Sequence, residues 1–190
     1  MKLRRLYTVT PAEQQALAAV LLDCVKGGAS VGFMSPLTPE RALAFWRKVA
    51  DEVDAGERGL LVAEDENGIV GTVQLVLVQP DNQPHRADLS KMLVMRRARR
   101  HGCGARLMQA AEDLARSCGK TLLVLDTASE EAMRLYERQG WLRCGEIPGF
   151  ALLPQGGLCA TVLYYRELPP ELSPELPPEV PGEGIQLRSA

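Results

Sequence analysis

Arg99, Arg100, His101, Gly102, Cys103 and Gly104 stand between an apolar run and a segment of helical periodicity. Glycines at positions 102 and 104 let the chain turn sharply and aim several backbone N–H groups at one point, an arrangement that binds anions at a helix start. The anion this predicts is a pyrophosphate. A helix dipole contributes only about 0.3–1 kcal/mol per anion, so direct N–H contacts and Arg96, Arg97, Arg99, Arg100 and Arg106 must supply most of the grip. Neither GxGxxG nor GxxxxGK followed by Ser or Thr is present, which argues against a dinucleotide-fold or Walker A loop. The basic run has a competing reading as a nucleic-acid patch, but such patches seldom lie between a buried strand and an amphipathic helix.

The elements that position this loop are legible from periodicity. Residues 86–95 read as a strand with Asp88, Ser90, Met92 and Val94 on one face. Residues 104–117 read as a helix with Leu107, Ala110, Ala111 and Leu114 at helical spacing, stopped by Gly119. Before them come a strand over 3–9, a helix opened by Pro11, and a second helix capped by Thr38 and closed by Gly56. Between those helices GGASVGFMS is too glycine-rich to be regular and too apolar for a solvated linker, which suits a wall of the site. Strands over 60–64 and 69–78 flank a hairpin turn at Asn67 and Gly68. Downstream come the strand TLLVLD, a helix over 130–139 ended by Gly140, and an apolar strand over 158–165.

The segment Arg99-Arg100-His101-Gly102-Cys103-Gly104 resembles the phosphate loop Q/R-x-x-G-x-G/A of the GNAT acetyltransferases. A second signature of that family, A-x-x-x-Y-x-x-x-G-F, has its counterpart in Ala132, Tyr136, Gly140 and Trp141. The resemblance covers about residues 1–168 and implies an α/β fold with a central mixed, mostly antiparallel sheet flanked by helices, in the order β-α-α-β-β-β-α-β-α-β-β. Within the family, GGASVGFM, the LDT after the fifth strand and GEIPGF look like tabtoxin-resistance-type acetyltransferases. The implied activity is direct transfer, within a ternary complex, of an acetyl group from acetyl-CoA to an amine of a small molecule, with an amino-acid-like compound or an antibiotic or toxin as candidate acceptors, and with no metal. Acetylation of a protein amine and a catalytically silent acetyl-CoA-binding or sensory module are the alternatives.

The resemblance also implies site roles. Backbone at Met92, Leu93 and Val94 would pair with the pantetheine arm, and the segment from Arg99 to Ala105 would hold the phosphates. Ser129 stands where the family commonly has an asparagine near the pantetheine or acceptor. Tyr136 falls at the position of the family's thiolate-protonating tyrosine. A lysine-like ammonium has a pKa of about 10.4, so a base must accept its proton before attack. Asp88 lies eleven residues before Arg99, the spacing of the basic glutamate in the histone-acetyltransferase branch, and Asp126 at the end of the fifth strand is a second base. The choice between them stays open. Arg96 replaces a common proline and Arg100 a common glycine.

Composition bounds the rest. A chain of 190 residues, 46% hydrophobic with net charge −2, builds one core and has no global attraction to nucleic acid or anionic membrane. Five scattered cysteines without a CxxC pair make poor material for disulfides or zinc, and His85 and His101 are too isolated for a metal site. Cys103 sits at a helix start, where a thiol pKa falls, but no histidine marks a nucleophile pair. No apolar region follows the basic N-terminus, so the cytoplasm is expected. Residues 169–190, rich in Pro and Glu, read as an extended or disordered tail; the contrary expectation is a homodimer docked along Leu172, Leu176 and Val180.

Overall fold

Thr10 and Thr38 start the first two helices in the same way, each side-chain oxygen accepting a backbone N–H three residues on and each followed by proline. At Thr10 the box is complete, because the Glu13 carboxylate accepts the Thr10 N–H at 2.8 Å. That turn ends the first strand early: β1 is Lys2–Leu6, and Val9, expected in the strand, is instead buried beside the helices. The computed structural model describes residues 1–169, so the Pro/Glu-rich tail with Leu172, Leu176 and Val180 lies outside it.

The elements continue with α1 (Pro11–Lys26), α2 (Pro39–Asp54), β2 (Arg58–Asp65), β3 (Gly68–Val76) and β4 (Arg86–Val94). A short 3-10 turn (Arg96–Ala98) leads to α3 (Cys103–Ser117), β5 (Leu122–Thr127), α4 (Glu130–Arg138), β6 (Leu142–Leu152) and β7 (Leu158–Glu167). The sheet runs β1-β2-β3-β4-β5-β7-β6, and every neighbouring pair is antiparallel except β4–β5. This is the mixed, mostly antiparallel architecture expected above. Among the described residues no helix is long and apolar enough to cross a membrane.

Strand alternation sends the core to both faces. In β2, Leu60 and Val62 pack with Leu17, Leu21 and Trp46 of α1 and α2, whereas Leu61 and Ala63 join Leu107, Met108 and Ala111 of α3. The same rule holds for the first half of β4, where Ala87 and Leu89 join the α3 cluster. It then breaks. Ser90 lies opposite Gln74 and Leu93 opposite Thr72, so Lys91 and Met92 together face Val73, and Lys91 takes a left-handed φ of 48°. Past this bulge the parity is inverted: Leu93 enters the α1/α2 cluster, and Met92 and Val94 pack on the α3 side. The expected common face of Asp88 and Met92 is therefore corrected; the inserted residue puts them on opposite sides of the sheet.

Periodicity also passed over β6. Its outer edge is unpaired, it contains Gly145, Pro148 and Gly149, and its ladder with β7 is irregular between Arg143 and Gly145 and between Ile147 and Ala151. An exposed edge strand has little inward face from which to read alternation.

Leu107 is 0% exposed where α3 meets the sheet. Leu107→Ala should lower stability by about 2–5 kcal/mol, read as a fall in the urea midpoint at unchanged slope. A stability loss below about 0.5 kcal/mol, from the midpoint shift multiplied by the slope, would show that α3 is not anchored there.

Candidate active site

Parallel pairing between β4 and β5 covers Arg86 with Leu122, Ala87 with Leu123 and Asp88 with Val124, and then stops. Each strand continues on its other partner, β4 with β3 to Val94 and β5 with β7 to Thr127. The split sheet opens a groove of ≈ 1120 Å³, lined by residues 89–94 on one wall and 125–132 on the other. Its roof is the glycine-rich α1–α2 loop, as the composition of that loop suggested. The Ser35 N–H donates to the Pro154 carbonyl at 2.8 Å, fastening the loop to the β6–β7 turn across the groove.

The phosphate-loop candidate closes one end. Arg100 has φ 62° and Gly102 φ 76°, and Gly102 caps α3 without any side-chain hydrogen bond. The first helical bond runs from the Arg106 N–H to the Gly102 carbonyl at 3.1 Å, which leaves the N–H groups of Cys103, Gly104 and Ala105 at the open helix end. All three residues line the groove. At Gly104 a Cβ would lie 2.9 Å from Leu135 and 3.0 Å from Met92, so glycine is what keeps the groove open between β4 and α4.

The expected arginine set divides. The Arg96 side chain donates twice to Asp23, at 2.9 and 2.8 Å, and its backbone N–H donates to the same carboxylate. Burial pushes the Asp23 carboxyl up, but those bonds outweigh it and hold the group below its ordinary range. Arg97 pairs with Asp65, and Arg106 donates to the Met1 carbonyl. These three are structural ties rather than free anion ligands. Arg99 and Arg100 line the groove, with Arg99 Nε donating to the Val94 carbonyl at 3.1 Å. His101 is exposed and stands outside the lining. Arg134 and Arg138 of α4 also line the groove; sequence reasoning missed them, although their spacing of four on one helix was the available signal.

Of the candidate bases, the groove takes in Asp126 and not Asp88. Asp88 accepts bonds from Arg86 at 2.5 Å and Gln79 at 3.2 Å on the far side of the bulge. Asp126 accepts the Thr161 hydroxyl at 2.7 Å, a partner no spacing rule pointed to. Tyr136 also lines the groove while only 4% exposed, its ring packed on Trp141 and Tyr164 with centroids 6.1 and 5.8 Å away. Burial above all, then the negative charge of Asp126 and the neighbouring Tyr164, raises its phenol well above the ordinary tyrosine value. Ser129 caps α4, accepting the Ala132 N–H at 3.4 Å, and lines the groove. Lys91, unforeseen, lines it too.

Residues 30–141 match the family model described as Acetyltransferase (GNAT) family. The chain belongs to the GNAT acetyltransferases. It is 33% identical over 124 residues to an uncharacterized N-acetyltransferase in the hisH-hisA intergenic region of Azospirillum brasilense, covering 64% of this chain and 72% of that protein. The GNAT fold extends to solved structures of lower identity. A ribosomal-protein-alanine N-acetyltransferase from Brucella melitensis superposes with a TM-score of 0.74 at 22% identity, covering 88% of this chain and all of that one. A phosphinothricin acetyltransferase from Sinorhizobium meliloti, in complex with acetyl-CoA, gives 0.71 at 18% identity and 88% of both chains. This GNAT chain is thus an acyltransferase.

The helix start does not lower the Cys103 thiol as expected, because burial pushes it up; burial raises Cys24 as well. Titration of the native protein with an aromatic disulfide reagent should modify the exposed Cys144 first and leave Cys24 and Cys103 unreacted until unfolding. Rapid loss of the Cys103 thiol in the folded protein would contradict this order.

Proposed function

We propose that this chain moves the acetyl group of acetyl-CoA directly to the amine of a small molecule within one ternary complex. The observation that supports it best is a single groove joining an open helix N-terminus to a gap between two strands. The residues present suit acetyl-CoA: free N–H groups and Arg99 and Arg100 meet phosphates, and the Gly104 cradle, which a Cβ would fill, admits a slender arm. When bound, acetyl-CoA supplies an acetyl group already activated as a thioester. The edge of β4 that faces β5, without a partner strand past Asp88, orients the arm at Met92, Leu93 and Val94.

Asp126 is the better placed base, since it faces the groove and Thr161 fixes its carboxylate. It accepts the proton that the acceptor ammonium must lose. Tyr136 lines the groove with its phenol protonated and passes that proton to the departing sulfur while recovering one from the nitrogen that becomes the amide; burial weakens it as an acid, so the two transfers are coupled.

Calorimetry with acetyl-CoA tests the loop. Wild type should bind, and Gly102→Asp should not, since a side chain at φ 76° is strained and a carboxylate there repels phosphate. Undiminished affinity in the variant would remove the loop assignment.

Thiol release over a panel of amines tests the acid and base. Asp126→Asn should lower kcat/KM about 100-fold, most at low pH where the acceptor is most protonated, with recovery toward its pKa near about 10.4. Asp88→Asn should change it by less than about twofold, because that residue lies in the paired part of β4, outside the groove. Tyr136→Phe should lower kcat and leave acetyl-CoA affinity intact. A pH profile for Asp126→Asn parallel to wild type, or an unchanged kcat for Tyr136→Phe, would withdraw the corresponding role.

A further inference from the structure

The β4 wall of the groove carries a cation that the transfer chemistry does not use. Lys91 occupies the bulge in a left-handed backbone conformation that side-chain-bearing residues seldom adopt, and such geometry persists where the surrounding structure enforces it. Its Nζ lies 5.8 Å from the centre of the Phe45 ring, and that ring packs edge-on against Phe33 and Trp46 at 5.3 and 5.1 Å. No carboxylate among the described residues forms an ion pair with it. Arg58, its cationic neighbour, is neutralised by Glu52 at 2.5 Å, and Asp126 is engaged by Thr161. Burial, with repulsion from Arg58, depresses the Lys91 ammonium against the opposing pull of Asp126. A partly buried charge without a counter-ion is costly, and the fold keeps this one in the groove wall.

We propose that Lys91 binds a carboxylate of the acceptor, so that the preferred substrate is a zwitterionic small molecule whose amine is presented to Asp126. The proposal rests on the transferase reading above. Charge balance narrows the anion: Lys91, which forms no ion pair among the described residues, and Asp126 line the groove and attract one another, which matches a molecule carrying one charge of each sign. A dianionic phosphate would leave an excess negative charge beside Asp126. An ammonium recognises a carboxylate as a point charge, without the planar fork of arginine, and desolvation by Phe45 and the loop above strengthens the pairing.

The test compares free amino acids with their matching carboxamides as acceptors, by thiol release, in wild type, Lys91→Met, Lys91→Gln and Lys91→Arg, with acetyl-CoA affinity measured by calorimetry. Wild type should favour the acid over the amide in kcat/KM by about ten- to a hundredfold, the scale of one charge-assisted contact. In Lys91→Met and Lys91→Gln the ratio should collapse toward one, through KM for the acid. Lys91→Arg, which keeps the charge, should retain part of the preference. A wild-type ratio at or below one, or an unchanged ratio in both neutral variants, overturns the proposal while leaving the transferase intact. Loss of kcat on acids and amides alike in all three variants, with wild-type melting temperatures, also overturns it, because Lys91 would then carry protons. Acetyl-CoA binding without release for any amine overturns the transferase reading and this proposal with it.

Discussion

Backbone hydrogen bonding is the constraint on which this molecule depends. After Asp88 and Val124 the facing edges of β4 and β5 have no partner strand, and each buried unpaired N–H or carbonyl costs about 1–3 kcal/mol if it is left without water or ligand. The fold tolerates the split because both strands are secured from behind, β4 by the antiparallel ladder with β3 and β5 by that with β7. Beyond the strand, the Met95 N–H still returns to the Val70 carbonyl at 2.8 Å. A row of peptide groups is thereby left facing the groove, which a continuous sheet could not offer.

The bulge at Lys91 turns that opening into a site. By inverting the parity of β4, it sends Leu93 into the α1/α2 core and Met92 against α3, so both core clusters grip the edge that borders the groove. The loop that follows is fixed by charge. Arg96 ties it to Asp23 at the end of α1, and Arg97 ties it to Asp65 beside the β2–β3 turn. Such half-exposed pairs contribute little to global stability, and their effect here is to orient the loop before α3.

What was legible in the sequence was local. Gly102 and Gly104 could be read because positive φ and close approach are demands on single residues, and Thr10 and Thr38 because a cap acts over three positions. The alternation of β2 exposed its two-sided burial in the same way. Misreadings came from contacts made across the fold. Arg96 looked free because Asp23 is 73 residues away, and Arg97 because Asp65 is 32 away. Asp88 seemed to share a face with Met92 because one inserted residue cannot be seen in a period-two pattern. Thr161, 35 residues from Asp126, left no trace in spacing.

Tyr136 belongs at once to the core and to the groove wall. Its ring is packed against Trp141 and Tyr164, and that packing both fixes the phenol's direction and removes it from water, which raises its pKa. The support continues beneath it. The Trp141 indole N–H donates at 3.1 Å to Glu112, a carboxylate only 3% exposed, and Arg116 and Arg166 each approach Glu112 at 3.7 Å. Arg166 also donates to the Gly140 carbonyl at 2.6 Å, so α3, the turn after α4 and β7 share one polar anchor. Breaking a buried ion pair of this kind is strongly destabilising because it strands a charge, whereas keeping it whole contributes mainly definition of geometry. The orientation of Tyr136 in the groove wall is therefore set by a network that lies in the core.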